Sequence, residues 1–424
     1  MDVQIINEKY AGNKSIPRIT AIDFVRGLAI ILMALDHAST YWNSGRFFGE
    51  FWNWGRPEPL PDLLQFIVRF ISHWCAPTFV FLAGTSLILS ETRRLEKGIS
   101  HEEITRHLIV RGLMLLVIEW TLIGWLFQAG ALYFGVLAAI GVGLIVFAFA
   151  RKLNTKIILG ISLFIVLDDI FAEFIWNPLF QPGFHPVSFS IFYIGAIFNP
   201  IFGQYYIPFI NIPFLKWLQV ATFNPSWPYG LYPLDPWLGV MGLGVVFGRW
   251  LLKQQQTPNV NHHIAKRLTV TGSIMIIVFF ILRTFQGTPT SFFSLWVTDG
   301  VLMENAFAIQ NFFFMSKYPP SIVFLLWTLG GTCLALGLAF YLQDNERFQK
   351  LAKPVMLFGS TALFFYCAHL MIYGAIPLIF GLKNSFSLQI TLLVWLLGLL
   401  VLYPACVEFL KLKKRYPNSL LKYI

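Results

Sequence analysis

The chain has 424 residues, of which 56% are hydrophobic and only 12% are charged. Soluble domains carry about 25% charged residues, so this composition excludes an ordinary soluble protein and indicates an integral membrane protein. The formal net charge of +10 comes without a basic and aromatic nucleic-acid-binding motif, so we expect no nucleic acid among the partners. Membrane topology and attraction to anionic lipid explain the excess of basic residues better.

Long apolar runs recur along the whole sequence. A helix needs about 20 apolar residues to cross roughly 30 Å of hydrocarbon. Ten runs approach this length: 21–42, 64–89, 107–127, 130–150, 156–176, 231–251, 268–285, 320–342, 355–378 and 386–410. No linker or change in composition divides them. The sequence therefore predicts an all-α polytopic membrane protein with about ten transmembrane helices in a single domain, residues 1–424.

The distribution of lysine and arginine predicts the orientation of these helices, because cytoplasmic loops retain basic residues. Alternate loops hold 22 of the 31 basic residues, whereas the longer loops on the other side hold six. Both termini are therefore predicted to be cytoplasmic, with residues 1–18 as the N-terminal segment and residues 411–424 as a basic tail. We expect a multi-pass protein of the plasma (inner) membrane. The remaining three basic residues lie inside predicted helices.

The first predicted helix carries Arg26 and His37, which are eleven residues apart. At about 100° per residue they return to within roughly 20° of the same helix face, about 16 Å apart along the axis. Arg26 is expected near the cytoplasmic end, with Asp23 as a partner, and His37 in the outer half. A charged side chain in a membrane helix costs on the order of 3 kcal/mol, so it faces a partner or a watery cavity. Two simpler interpretations stay open: Arg26 can reach the lipid headgroups, and His37 can be a hydrogen-bonded core histidine.

Other polar residues interrupt the later helices. Arg69 and His73 are four residues apart and share one helix face, Arg111 and Glu119 lie in the third run, and His369 lies in the ninth. With the histidine of the first helix, this places three imidazoles in the outer half of three different helices. A shared wet pocket is the simplest explanation, although each histidine can instead be structural.

Histidine is the usual general base near neutral pH, since its unperturbed pKa is about 6.5. Asp36 directly precedes His37 in the sequence and lies about 100° from it around the helix. Asp36 therefore does not automatically orient the imidazole, and it is a candidate catalytic residue in its own right.

The sequence gives no indication of a metal site. The cysteines lie in apolar runs without C-x-x-C spacing and are expected to serve in packing: Cys75, Cys333, Cys367 and Cys406. His262 and His263 lack partner ligands at metal-site spacing. A glycine-rich stretch, 239–248, lies inside a predicted membrane helix, where close helix packing explains it better than nucleotide binding does. No metal cofactor is therefore expected.

Two long loops, 177–230 and 286–319, are predicted on the outer side. The first contains one lysine, no aspartate or glutamate, and many prolines and aromatic residues, which is unlike a disordered linker. It is either a lid with aromatic platforms for a sugar-like acceptor or an aromatic belt at the membrane interface.

Five motifs in order along the chain resemble a known family. They are AIDFVRGLAIILMALDH, CAPTFVFLAGTS, YPLDPWLGVMGLG, KYPPSIVFLLWTLG and LFFYCAHLMIY. The first contains an arginine and a histidine separated by ten residues, a pattern found in the first helix of the transmembrane acyltransferases. This superfamily includes the acyltransferase-3 proteins, and the closer resemblance is to its heparan-α-glucosaminide N-acetyltransferase-like branch. The likeness extends over residues 17–380.

The resemblance implies an enzyme that takes an acyl group, usually acetyl, from acyl-CoA on the cytoplasmic side. The acceptor would be a hydroxyl or amine of a sugar or glycan on the far side. His37 matches the catalytic histidine of the family, and Arg26 matches the motif arginine near the CoA-binding end. Acetyl-CoA is thus the expected co-substrate, and the lipid bilayer and a polar acceptor are the other expected partners. An oligomer is compatible with the glycine-rich helix faces.

Other site residues are predicted from depth and spacing alone. We place Arg69 and Arg111 with Arg26 as CoA-binding residues and expect Asp36 to assist His37. The substrate pocket is expected to contain His73, His369 and Glu119. A different class of function stays open, a transporter or flippase with an intramembrane histidine and arginine pathway, since such residues also mark proton and substrate paths.

Overall fold

The structure is a computed structural model. It describes residues 19–46, 62–128, 133–171, 232, 234–254, 259–284, 312–313, 315, 317, 320–417 and 419–423. The predicted N-terminal segment 1–18, the loop 177–230 and most of the loop 286–319 lie outside these residues.

The described residues form helices. In chain order these are α1 Thr20–Trp42, α2 Leu63–Ser72, α3 Cys75–Leu95, α4 His101–Ile118, α5 Val136–Ala150, α6 Thr155–Phe171, α7 Leu234–Gln254, α8 Val260–Arg283, α9 Ile322–Leu342, α10 Glu346–Ser360, α11 Ala362–Leu370 and α12 Leu388–Arg415. Helix α4 continues through a π turn, Glu119–Ile123, and α11 through a second one, Met371–Ala375. Only two isolated β-bridges accompany these helices in the described residues. The all-α prediction is therefore confirmed.

Each of the ten apolar runs coincides with one or more helices. Six of the helical segments are long and apolar enough to cross a membrane: Leu63–Leu95, His101–Leu126, Val260–Arg283, Ile322–Leu342, Ala362–Ile379 and Leu388–Arg415. Helix α5 and most of α6 are apolar but shorter. The chain is thus a multi-pass membrane protein, while the number of ten spans and the cytoplasmic termini stay predictions.

Helix α1 is not among these six, and it carries three charged side chains, Asp23, Arg26 and Asp36. These side chains face protein, since α1 contacts α2, α3, α9, α10, α11 and α12. Its buried residues include Asp23 and Asp36 as well as alanines and isoleucines. A helix with buried carboxylates needs such an enclosure, because lipid offers them no hydrogen bonds.

Glycines allow α1 and α10 to approach until their backbones touch. A Cβ atom on Gly27 would collide with the carbonyl oxygen of Val355, and one on Gly359 would collide with that of Asp23. Small residues at such crossings allow close helix packing inside membranes. The crossing brings the start of α11 close to the polar face of α1.

Helices α3 and α7 meet in the same way. A Cβ atom on Gly84 would collide with the carbonyl oxygen of Met241, and one on Gly244 would collide with that of Phe81. The expectation that the glycines of 239–248 serve close helix packing is thereby confirmed.

The α3–α7 crossing predicts a stability difference between two glycine-to-alanine substitutions. Gly84→Ala should lower the free energy of unfolding by about 1–3 kcal/mol, because the methyl group meets a backbone carbonyl that cannot rotate away. Gly160→Ala is the matched control, since a Cβ atom there has no other atom within 4 Å. Thermal unfolding of both variants in detergent measures the difference. Equal melting temperatures would contradict the packing shown for this crossing.

Candidate active site

A cavity of about 770 Å³ runs alongside α1. Its walls come from α1, α3, α4, α5 and α11, and they include both Arg26 and His37. The expectation that these two residues face one shared space is therefore confirmed. Cavities of roughly 300–1,000 Å³ are usual for small-molecule sites, so the space is large enough for a substrate.

Arg26 is fixed by three neighbours near the start of α1. Its Nη1 atom donates to Asp23 Oδ1 at 3.3 Å and to the carbonyl oxygen of Gly359 at 3.3 Å. Its Nη2 atom donates to Ser86 Oγ in α3. The predicted Asp23 partner is confirmed. Since Arg26 also lines the cavity, its guanidinium is held by protein groups at the wall of this space.

More basic residues line the cavity around Arg26. The basic end of the cavity is formed by Arg26, Arg93, Arg94, Lys97 and Arg111. The Nη2 atom of Arg94 lies 2.9 Å from Nε2 of His107 in α4, which ties the end of α3 to α4. This concentration of arginine suits a ligand with several negative charges, because guanidinium groups form charge-assisted hydrogen bonds with phosphates.

His37 lies further along α1 and meets His369 of α11. The distance between His37 Nδ1 and His369 Nε2 is 2.7 Å. The two ring planes differ by 8° and the ring centroids are 5.0 Å apart. Nδ1 of His369 lies 2.9 Å from the carbonyl oxygen of Phe365. The edges of Phe127 and Tyr366 pack against the His37 ring.

Asp36 organises a separate polar cluster next to His37. One carboxylate oxygen, Oδ1, accepts hydrogen bonds from Arg46 Nη1 at 2.8 Å, from Arg69 Nη1 and from Ser72 Oγ at 2.8 Å. The side chains of Arg46, Arg69 and Asp36 are each less than 10% exposed. Lys317 also lines the cavity and lies within electrostatic range of Asp36. We call these five residues the Asp36 cluster.

The structure separates residues that the sequence analysis grouped together. Arg111 lines the basic end with Arg26, but Arg69 belongs to the Asp36 cluster. The ion pair with Asp36 determines this position, because a buried carboxylate needs cationic or hydrogen-bonding partners. Arg69 also lines the cavity, but its guanidinium is engaged by Asp36, and the CoA-binding role expected for it stays a prediction.

The three residues predicted for a substrate pocket take different positions. Glu119 lines the cavity, and its Oε2 atom accepts a hydrogen bond from the backbone N–H of Leu137 at 3.0 Å, at the start of α5. His73 is buried against the rings of Phe70 and Phe324. Neither His73 nor His369 is among the described residues that line the cavity. Of the three predicted imidazoles, those of His37 and His369 lie within hydrogen-bonding distance of each other in the described part of the chain.

Sequence reasoning missed three residues of the Asp36 cluster, Arg46, Ser72 and Lys317. Arg46 and Lys317 were assigned to outer loops, where basic residues ordinarily face water. The sequence does contain an indication that Lys317 belongs to the site, because this residue begins one of the five family-like motifs, KYPPSIVFLLWTLG. Arg46 has no such signal, because nothing in its local sequence shows that it reaches back to Asp36.

Comparison with protein families identifies a relationship for most of the chain. The family model described as "Heparan-alpha-glucosaminide N-acetyltransferase, catalytic" matches residues 18–284. The match includes Arg26, His37 and Arg111 and ends before Lys317 and His369. A search of curated proteins found no match.

The Asp36 cluster predicts a large effect on stability. Asp36→Ala should lower the free energy of unfolding by about 3–5 kcal/mol, because it leaves buried arginines without their carboxylate. Glu408→Ala is the matched control, since it removes the carboxylate of the exposed pair with Lys411, and such pairs contribute little. Thermal unfolding in detergent should show a large decrease for the first variant only. Similar melting temperatures for the two variants would contradict a structural role for the cluster.

Proposed function

The chain belongs to the family of the heparan-alpha-glucosaminide N-acetyltransferase catalytic domain, and from this premise we propose a membrane-embedded acetyltransferase that uses acetyl-CoA. The acceptor we propose is a hydroxyl or amine of a sugar-like molecule. The family supports acetyl transfer by a transmembrane enzyme, whereas the donor, the acceptor and the residue roles are part of our proposal.

The single observation that carries the proposal is the cavity shared by the basic end and His37. CoA carries several phosphate charges at one end and its thioester at the other. Arg26 and Arg111 line the cavity where phosphates would be favoured. His37 lies on the same helix, about 16 Å from Arg26 along the axis. A long, thin donor can therefore place its charged end among the arginines and its thioester beside an imidazole.

In the proposed reaction, the acceptor oxygen or nitrogen attacks the carbonyl carbon of the thioester while His37 removes the acceptor proton. The new C–O or C–N bond forms and the C–S bond breaks. The CoA thiolate then leaves and takes the proton from the His37 imidazolium, so that the histidine is restored. A general base of this kind typically accelerates a reaction by about 10² to 10⁴.

The Asp36 cluster has a supporting role in this proposal. Its carboxylate is engaged by Arg46, Arg69 and Ser72, so we assign it to holding these side chains beside His37 and not to proton transfer. The cluster, which includes Lys317, gives the acceptor side of the cavity a polar wall. Such a wall suits a polar acceptor, which must exchange its hydrogen bonds with water for hydrogen bonds with protein.

The proposed base predicts the effect of His37→Ala. With purified protein in detergent, thiol release from acetyl-CoA in the presence of glucosamine should decrease by about 10² or more, because the acceptor proton has no base. Thr269→Ala, at an exposed position of α8 outside this cavity, is a control for handling and folding. Undiminished thiol release by His37→Ala would overturn the mechanism. Movement of an intact solute across vesicles without thiol release would favour the transporter instead.

The basic end predicts a selective loss of donor binding. Arg26→Gln and Arg111→Gln should each raise the KM for acetyl-CoA by about tenfold, which corresponds to one charge-assisted hydrogen bond. The KM for S-acetylpantetheine, which lacks the nucleotide phosphates of CoA, should change little. Arg267→Gln is the matched control, because this exposed arginine packs on Trp250 and does not line the cavity. An equal rise in KM for both donors would contradict phosphate binding at this end.

A further inference from the structure

His369 contacts His37, is not among the described residues that line the cavity, and lies outside the residues that the family model matches. We propose that His369 is a positioning residue that fixes the tautomer of His37, so that Nε2 of His37 carries the lone pair that accepts the acceptor proton. This inference rests on the proposed role of His37 as the general base.

The hydrogen bonds determine where each proton lies. A carbonyl oxygen only accepts, so the contact between His369 Nδ1 and the Phe365 carbonyl oxygen requires a proton on Nδ1. His369 is completely buried, and an unpaired charge there would be costly, so its ring is neutral and Nε2 has a lone pair. His37 Nδ1, 2.7 Å away, must then be the donor. A neutral His37 consequently has its lone pair on Nε2.

The ring geometry fits a directed N–H···N hydrogen bond. The two planes are within 8° of each other. A centroid separation of 5.0 Å with nitrogens only 2.7 Å apart is the arrangement of two imidazoles that meet edge to edge in one plane. Rings stacked face to face would not place one nitrogen's N–H along the lone pair of the other. The contact therefore has the direction that a hydrogen bond needs.

Neighbouring hydrogen bonds hold the two histidines at this distance. Trp42 Nε1 donates to the carbonyl oxygen of Tyr373 at 2.8 Å, one turn after His369. The hydroxyl of Tyr373 donates to the carbonyl oxygen of Trp395 in α12 at 2.7 Å. Helix α11 is thus attached to α1 and α12 next to the histidine pair, which restricts rotation of the imidazoles.

A nearby carboxylate is the usual group that orients a catalytic histidine, but the carboxylate of Asp36 does not accept the hydrogen bond from His37 Nδ1. Asp36 Oδ1 is engaged by the two arginines and Ser72, and the hydrogen bond of His37 Nδ1 in the described residues goes to His369. When His37 Nε2 takes up the acceptor proton, the bond from Nδ1–H to His369 becomes charge-assisted and strengthens. The proton returns from Nε2 to the departing thiolate, so His369 gains and loses no proton.

Two variants separate the proposed role from packing. His369→Phe keeps an aromatic ring but removes the acceptor, and kcat should decrease by about 10- to 100-fold with little change in the KM for acetyl-CoA, the range usual for groups that orient a functional histidine. His369→Gln offers an amide oxygen near the position of Nε2 and should recover much of this loss. Thr332→Val, which removes a buried hydrogen bond with Thr78 between α9 and α3 at residues that are not among those described as lining the cavity, is the matched control and should keep its kcat.

The tautomer itself can be measured without turnover. Nitrogen NMR of the full chain, isotope-labelled at histidine and reconstituted in lipid, distinguishes protonated from unprotonated ring nitrogens, and the His37→Gln spectrum identifies the His37 signals. Wild-type His37 should be protonated at Nδ1, and His369→Phe should populate the tautomer protonated at Nε2. This wild-type measurement identifies the protonated nitrogen of His37 even where a variant fails to fold.

Several results would overturn the inference. A proton on His37 Nε2 in the wild type would do so, as would an unchanged kcat in His369→Phe. An equal decrease in kcat for His369→Phe, His369→Gln and Thr332→Val would show that His369 serves packing alone. If His37→Ala retained full activity, the proposed function would fail first, whatever the tautomer. An inactive His37→Ala beside a fully active His369→Phe would remove only the present inference.

Discussion

The structure depends on enclosing the polar side chains of α1 in protein. Lipid offers no hydrogen bonds to a buried carboxylate or guanidinium, yet α1 carries Asp23, Arg26, Asp36 and His37. Six helices surround it. The closest approach is made with α10, where glycines let backbones touch. Because the enclosure leaves a cavity beside the polar face, the same constraint that makes α1 foldable also produces a site.

Charge is divided along this cavity in a way that fits a two-substrate reaction. Arginines and a lysine line the end near Arg26, whereas the carboxylate of Asp36 neutralises part of the charge on the arginines near His37. One end is therefore suited to a polyanion, and the other presents a mixed polar wall. His37 lies at the boundary, and its Nδ1 atom contacts Nε2 of His369. In the proposed reaction, binding, chemistry and orientation are thus assigned to different parts of the bundle.

The sequence predicted elements whose signal is contained in one helix. The apolar runs predicted the helices, and the eleven-residue spacing predicted that Arg26 and His37 share a cavity. The grouping of Arg69 with Arg26 was based on depth and spacing alone, and the structure pairs Arg69 with Asp36. Arg46 and Lys317 were missed because their partners are close in space and not in sequence. His369 was noticed for its depth, but its contact with His37 was not predicted.

The sequence by itself therefore determined the helical class, the membrane setting and the polar stripe on α1, because helix periodicity and the cost of burying charge in lipid act locally. The tertiary structure alone decided which cation meets which carboxylate and which two imidazoles contact each other. These side-chain contacts depend on how helices distant in the chain cross. The crossings are determined by backbone contacts at Gly27, Gly84, Gly244 and Gly359. A hydrogen bond requires a donor and an acceptor within a narrow range of distance and direction, and only the assembled bundle provides that geometry.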